Sequence, residues 1–143
     1  MINGAMIALL PDQADWTDLE LPHLTLVYAG PKDDLKPTDF NELAKDACML
    51  SLLTIESIAL RVVSKQQYGR GSELVEAFKL QPTHKLWAMR RTVEKWNKSE
   101  YPFDPHVTIG PLGTDVQDAP SYIRFTKILA AWGDQRLVFG LQR

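Results

Sequence analysis

Two of the three histidines in this 143-residue chain sit in matched segments, Pro22-His23-Leu24-Thr25-Leu26 and Pro105-His106-Val107-Thr108-Ile109. Both read Pro-His-apolar-Thr-apolar. At this chain's composition two chance copies of His-apolar-Thr-apolar arise at a rate on the order of 10⁻³, so the pattern is specific for so short a motif. A lone His-x-Thr is more often a structural pair; the duplication argues for chemistry. In a strand, residues two apart project from one face and their neighbours from the other. Each segment therefore presents a histidine and a threonine together and anchors them with two apolar residues behind. Imidazole has an unperturbed pKa of about 6.5, so its neutral and protonated forms coexist near neutrality. Two imidazoles flanking one phosphorus atom suit phosphodiester cleavage: the neutral ring takes a proton from the attacking oxygen and the protonated ring gives one to the leaving oxygen. The threonine hydroxyls can donate to the nonbridging oxygens, where charge grows in the transition state. This chemistry requires no metal and no cofactor, and no Cys, His or carboxylate at ligand spacing accompanies either segment.

For the two segments to meet, strands from different halves of the chain must be brought side by side or across a groove. Gly4 to Leu10 and His23 to Tyr28 read as strands closed by the turn signals Pro11-Asp12 and Gly30-Pro31. Pro37-Thr38-Asp39 starts a helix whose Phe40, Leu43, Ala47 and Leu50 share one stripe. A strand from Thr54 to Val63 puts Ile58, Leu60 and Val62 on one face and Ser57, Ala59 and Arg61 on the other. A polar turn at Gln66 to Ser72 leads into a strand with Leu74, Phe78 and Leu80 on one face, making a hairpin. A second helix begins near Pro82-Thr83 and buries Leu86, Met89, Val93 and Trp96, leaving Lys85, Arg91, Lys95 and Lys98 outside. A strand at His106 to Ile109 and two β-rich runs, Tyr122 to Trp132 and Arg136 to Leu141, complete roughly seven strands and two helices. The expected class is α+β.

The paired segments and this order of elements closely resemble the 2H phosphoesterase superfamily, also called 2'-5' RNA ligase-like, over essentially the whole chain. The resemblance implies one bilobal domain over 1–143, with two pseudo-symmetric lobes whose antiparallel sheets line a central groove and whose two main helices lie outside. It implies His23, Thr25, His106 and Thr108 as catalytic residues, and phosphodiesters next to a ribose hydroxyl as substrates. Members of the superfamily act on 2',3'-cyclic phosphates, cyclic ADP-ribose phosphate, 2'-5'-linked oligonucleotides and, in compact viral representatives, cyclic oligonucleotide immune signals. A chain this short is similar to the compact representatives, which puts a small nucleotide or short oligonucleotide ahead of tRNA ends. Two further readings compete: a module that binds a nucleotide or RNA end without turnover, and a 2'-5' ligase-like enzyme processing RNA or tRNA ends.

Composition bounds the partners. With 45% apolar and 24% charged residues the chain suits one globular domain, not a disordered or fibrous one. Its 16 basic and 18 acidic residues leave a net charge of -2, which argues against a large polyanion-binding surface. Residues 61–100 nevertheless carry 9 basic against 4 acidic side chains, a cationic middle that a small phosphorylated ligand could use. The single cysteine, Cys48, lies among apolar residues and reads as packing; with no disulfide to form, it fits a reducing cytoplasm. No apolar run approaches the roughly 20 residues that span a bilayer, and Met6 to Leu10 is too short and lacks the basic start of a signal peptide. No membrane and no obligatory protein partner is expected.

A nucleotide would need a partner for its base and a cation for a second phosphate. Arg61 on the outward strand face, Tyr68 and Arg70 in a glycine-containing turn, and Tyr101 and Phe103 before the second motif are the candidates. Tyr28 has the parity of Leu24 and Leu26 and is expected in their core unless the strand bulges. His84, at a helix start, reads as surface, and the tryptophans read as core or interface.

Overall fold

The computed structural model describes residues 4–12, 17, 19–54 and 56–141. Among them are seven strands and two α-helices: β1 Gly4–Pro11, β2 Leu24–Pro31, α1 Pro37–Leu53, β3 Ile58–Tyr68, β4 Val75–Leu80, α2 His84–Val93, β5 His106–Pro111, β6 Tyr122–Trp132 and β7 Gln135–Gly140. The class is α+β. Neither of these helices is long and apolar enough to cross a membrane.

All strand pairs are antiparallel, in the order β2-β1-β6-β3-β4-β5 with β7 added to β6. The expected two sheets are thus joined in one path, because β3 serves both: Ile58 to Arg61 pair with β6, and Val62 to Tyr68 pair with β4. The two motif-bearing strands stand at opposite ends of this order. The path curls until its ends face each other, and β2 and β5 lie close together. Sheet twist makes such curling the normal fate of a long antiparallel path.

β1 is central and covered on both faces. Ala5, Ile7 and Leu9 join the main core, while Met6, Ala8 and Leu10 form a smaller cluster with Leu129 and Ala131. That explains its unbroken apolar sequence. α1 buries Phe40, Leu43, Ala44, Ala47 and Leu50, with Pro37 in its first turn and Asp39 accepting from the Lys36 backbone N–H at 2.9 Å. Cys48 lies beside that stripe, half-buried. α2 buries Leu86, Met89 and Val93 and is capped by Thr83, whose hydroxyl accepts from Leu86 N–H at 3.2 Å. Trp96 ties the end of this region to α1 through its indole N–H on Asp46, 2.7 Å.

The ends of several strands shift by one to three residues, and β3 differs most from expectation. α1 runs to Leu53 with Thr54 as its C-cap, so β3 starts at Ile58 instead of Thr54. β3 then continues through the polar residues Ser64 to Gln67, which pair in register with β4, so the turn shrinks to the residues after Tyr68. Exposure of this part of the strand explains why its sequence looked like a loop.

Candidate active site

Both motifs are built alike. Leu24, Leu26, Val107 and Ile109 are at most 1% exposed, whereas His23, Thr25, His106 and Thr108 are all half-buried. His23 immediately precedes β2 and His106 opens β5. Each imidazole donates from Nδ1 to the carbonyl two residues upstream, His23 to Leu21 and His106 to Asp104, both at 2.8 Å. A carbonyl only accepts, so the nitrogen facing it carries the proton and Nε2 is left for chemistry. Among the described residues the Thr25 hydroxyl has only a weak acceptor, the Met6 sulfur at 3.7 Å.

Burial holds the His23 imidazole below its ordinary value of 6.5, and the Leu21 carbonyl works the other way. The positive charges of His106 and Arg136 lower it further. The two motif histidines are therefore close enough to feel each other's charge, although they are 83 positions apart in the chain.

His106 has a second support. The Tyr68 ring lies flat against it, centroids 3.9 Å apart and planes inclined by 8°, and the Tyr68 hydroxyl donates to the Asp104 carboxylate at 3.2 Å. Asp104 thus holds the ring of Tyr68 by its side chain and that of His106 by its backbone. Burial, with the Asp104 charge and hydrogen bond, pushes the Tyr68 phenol up to about 12, so it stays a neutral donor. Gly69 makes this placement possible: its φ is +101°, and a Cβ there would lie 2.5 Å from the Glu73 carbonyl oxygen.

A cavity of about 680 Å³ opens beside the motifs. Thr25 and His106 line it, together with Tyr68, Arg70, Tyr101 and Phe103 from the sequence candidates. His23 and Thr108 are not on its wall. The Arg70 guanidinium lies 5.6 Å from the Tyr101 ring centroid, so the hairpin tip and the segment before β5 clasp across the opening. Arg61 is exposed on the part of β3 that pairs with β6 and is not on the wall of this cavity.

Tyr28 corrects the parity argument. The β1–β2 register shifts between Ile7 opposite Val27 and Ala8 opposite Thr25, leaving Leu26 as the extra residue of a bulge. Leu26 and Val27 both turn inward, and Tyr28, 39% exposed, faces the cavity. Two arginines were also missed. Arg90, on the buried stripe of α2, lines the cavity; Arg136, on β7, acts on His23 and keeps a buried Nε with no hydrogen-bond partner among the described residues. The signal for Arg90 was its spacing from Leu86 and Val93, four and three residues away on an apolar stripe.

The outer edge of β2 is also covered, as an edge strand requires. Arg90 Nε donates to the Leu26 carbonyl at 3.0 Å, Lys98 N–H to the Tyr28 carbonyl at 2.7 Å, and Tyr28 N–H to Asn97 Oδ1 at 3.4 Å. Among the described residues, no three His, Cys, Asp or Glu side chains gather as a metal site.

No family model matches the sequence, and no curated protein matches it either. Solved structures do. E. coli LigT in complex with NADP+ superposes with a TM-score of 0.63 at 15% identity, over 99% of this chain and 99% of that one. A structure described as a phosphoesterase gives 0.60 at 14% identity, over 99% and 100%. Kluyveromyces marxianus Usb1 gives 0.61 at 14% identity, over 94% of this chain and 81% of its own. With its strands, helices and both motif segments in this arrangement, the chain has the fold of the 2H phosphoesterases.

Proposed function

We propose that this protein is a metal-independent phosphodiesterase that cleaves a nucleotide phosphodiester next to a ribose hydroxyl, using His23 and His106 as an acid–base pair. One observation carries the reading: two imidazoles, each held by the same upstream carbonyl contact with Nε2 left over, stand at the starts of β2 and β5, the end strands of a path that curls until these strands lie close together. The depressed pKa of His23 favours its neutral form, so His23 is the base and His106 the acid. With a free neighbouring hydroxyl, His23 Nε2 takes its proton, the oxygen bonds to phosphorus, and the leaving oxygen departs with the proton of His106, giving a cyclic phosphate. With a cyclic substrate, water is the nucleophile: one imidazole takes its proton as its oxygen bonds to phosphorus, and the ring P–O bond breaks as the other imidazole gives a proton to the released oxygen. Thr25 and Thr108 donate to the nonbridging oxygens in either case.

The cavity volume suits a mononucleotide or dinucleotide. Nucleotide complexes of proteins with this fold support the same ligand class: LigT with NADP+, 3'-AMP and ATP, and Usb1 with uridine monophosphate. The net charge of -2 favours such small ligands over long RNA. The test is incubation with 2',3'-cyclic nucleotides, 2'-5' oligoadenylates, cyclic dinucleotides and tRNA ends, with and without chelator, followed by mass analysis. A new product from a small nucleotide in the presence of chelator is expected. Tight binding without any product over hours would make the protein a binding module instead, and preference for tRNA ends would make it an RNA end-processing enzyme.

A further inference from the structure

Arg90 is 8% exposed, the most buried cation among the described residues, and it lines the cavity beside the motifs. Its Nε is spent on the Leu26 carbonyl, and its guanidinium carbon lies 4.6 Å from the Phe103 ring centroid. Among the described residues no carboxylate pairs with it: the five ion pairs involve Lys65, Lys79, Lys85, Lys95 and Arg136. Its two Nη groups make no hydrogen bond to those residues, yet they are not sealed away in protein, so they open on the cavity.

A guanidinium drawn out of water without a counter-ion is unfavourable, and packing alone does not require it. Leucine or methionine at this stripe position would fill the space between Leu26 and Phe103. Phe103 supports one face of the guanidinium, and the Leu26 bond fixes one edge, which leaves a preoriented pair of donors of the kind that grips a phosphate. Leu26 directly follows Thr25, whose hydroxyl shares the same cavity with His106. Asp104 and Glu73 also reach the wall; Asp104 is engaged by Tyr68 and Lys79, and Glu73 sits exposed at the hairpin tip.

We infer that Arg90 forms a second anion subsite, which receives a phosphate next to the scissile one, so that the preferred substrates carry at least two phosphates. This rests on the proposed nucleotide function and narrows it. A bare nucleoside 2',3'-cyclic phosphate leaves the subsite empty; a substrate with a 5'-phosphate or a second internucleotide linkage fills it.

The matched pair 3'-AMP and adenosine 3',5'-bisphosphate isolates the second phosphate, because neither contains a diester to be cleaved. Calorimetric titration of the wild-type protein is expected to show the bisphosphate binding at least tenfold tighter. Arg90→Met removes that preference while changing 3'-AMP affinity by less than about threefold. Arg90→Lys keeps charge but not the planar fork, and retains only part of the preference. A bisphosphate preference that persists in Arg90→Met overturns the subsite, as does an equal loss of both ligands, which marks a purely structural arginine. If circular dichroism shows Arg90→Met unfolded, Arg90→Lys decides: a preference unchanged from wild type overturns the inference. Failure of both ligands to bind the wild-type protein overturns the nucleotide reading itself.

Discussion

Tyr68 lies flat on His106, centroids 3.9 Å apart with 8° between planes, and its hydroxyl ends on the residue whose backbone holds the same imidazole. One side of the His106 ring is therefore closed, and the ring has little freedom to rotate. Tyr68→Phe keeps the stack and loses only the exposed bond to Asp104, so activity is expected within about threefold of wild type. Tyr68→Ala releases the ring, and kcat is expected to fall about 10- to 100-fold with the fold retained. Steady-state kinetics beside circular dichroism distinguishes the two; an alanine variant with wild-type kcat would show that His106 needs no such support.

Gly69 permits the backbone turn that sets Tyr68 in place. At φ +101° with a carbonyl oxygen 2.5 Å from any added Cβ, Gly69→Ala forces the turn open. The expected cost is about 1–3 kcal/mol in a urea titration, together with a loss of activity like that of Tyr68→Ala. An unchanged urea midpoint would count against the turn geometry.

The pH profile follows from His23. Its folded pKa lies below 6.5, so the base form is lost only as pH falls beneath that value, and the acid limb of kcat/KM should lie there. Arg136→Met removes one of the charges that lower His23, so the limb should move to higher pH. Stability has the same sign. The unfolded ring binds a proton more readily than the folded one, so the contribution of the neutral ring is present above about pH 6.5 and is lost as pH falls towards the folded value. Ring-proton NMR titration of both proteins measures this directly, and a downward move in Arg136→Met would contradict the assignment.

Thr25 and Thr108 stand for transition-state donors. The Thr25 hydroxyl has only the Met6 sulfur as partner among the described residues, at 3.7 Å, so Thr25→Val should leave thermal stability nearly unchanged. Thr25→Val and Thr108→Val are each expected to lower kcat about 10²-fold with KM within threefold. A change confined to KM would make these hydroxyls ground-state binders.

The repeated His-x-Thr segments, both helices, the β3–β4 hairpin and the β6–β7 pair were legible because each rests on local periodicity or turn chemistry. Tyr28 was not, since one extra residue at Leu26 reverses the facing of everything after it, and nothing in Val27 or Tyr28 announces a bulge. Arg61 lies on the face of β3 opposite Leu60, as its alternation indicates, but the strand alone does not say which residues of that face reach the cavity wall. Arg90 was passed over because helical periodicity assigns a polar residue to solvent unless its spacing is weighed against its neighbours. The meeting of β2 with β5 depends on how the whole strand path curls, a property no segment holds by itself.

The most direct measurement is cleavage by folded His23→Ala and His106→Ala proteins on the best small-nucleotide substrate, in the presence of chelator. Each variant should lose about 10² to 10⁴ in kcat, and the double variant little more than the worse single one, because the two rings act as a unit. Wild-type turnover by either folded single variant would contradict the two-imidazole account.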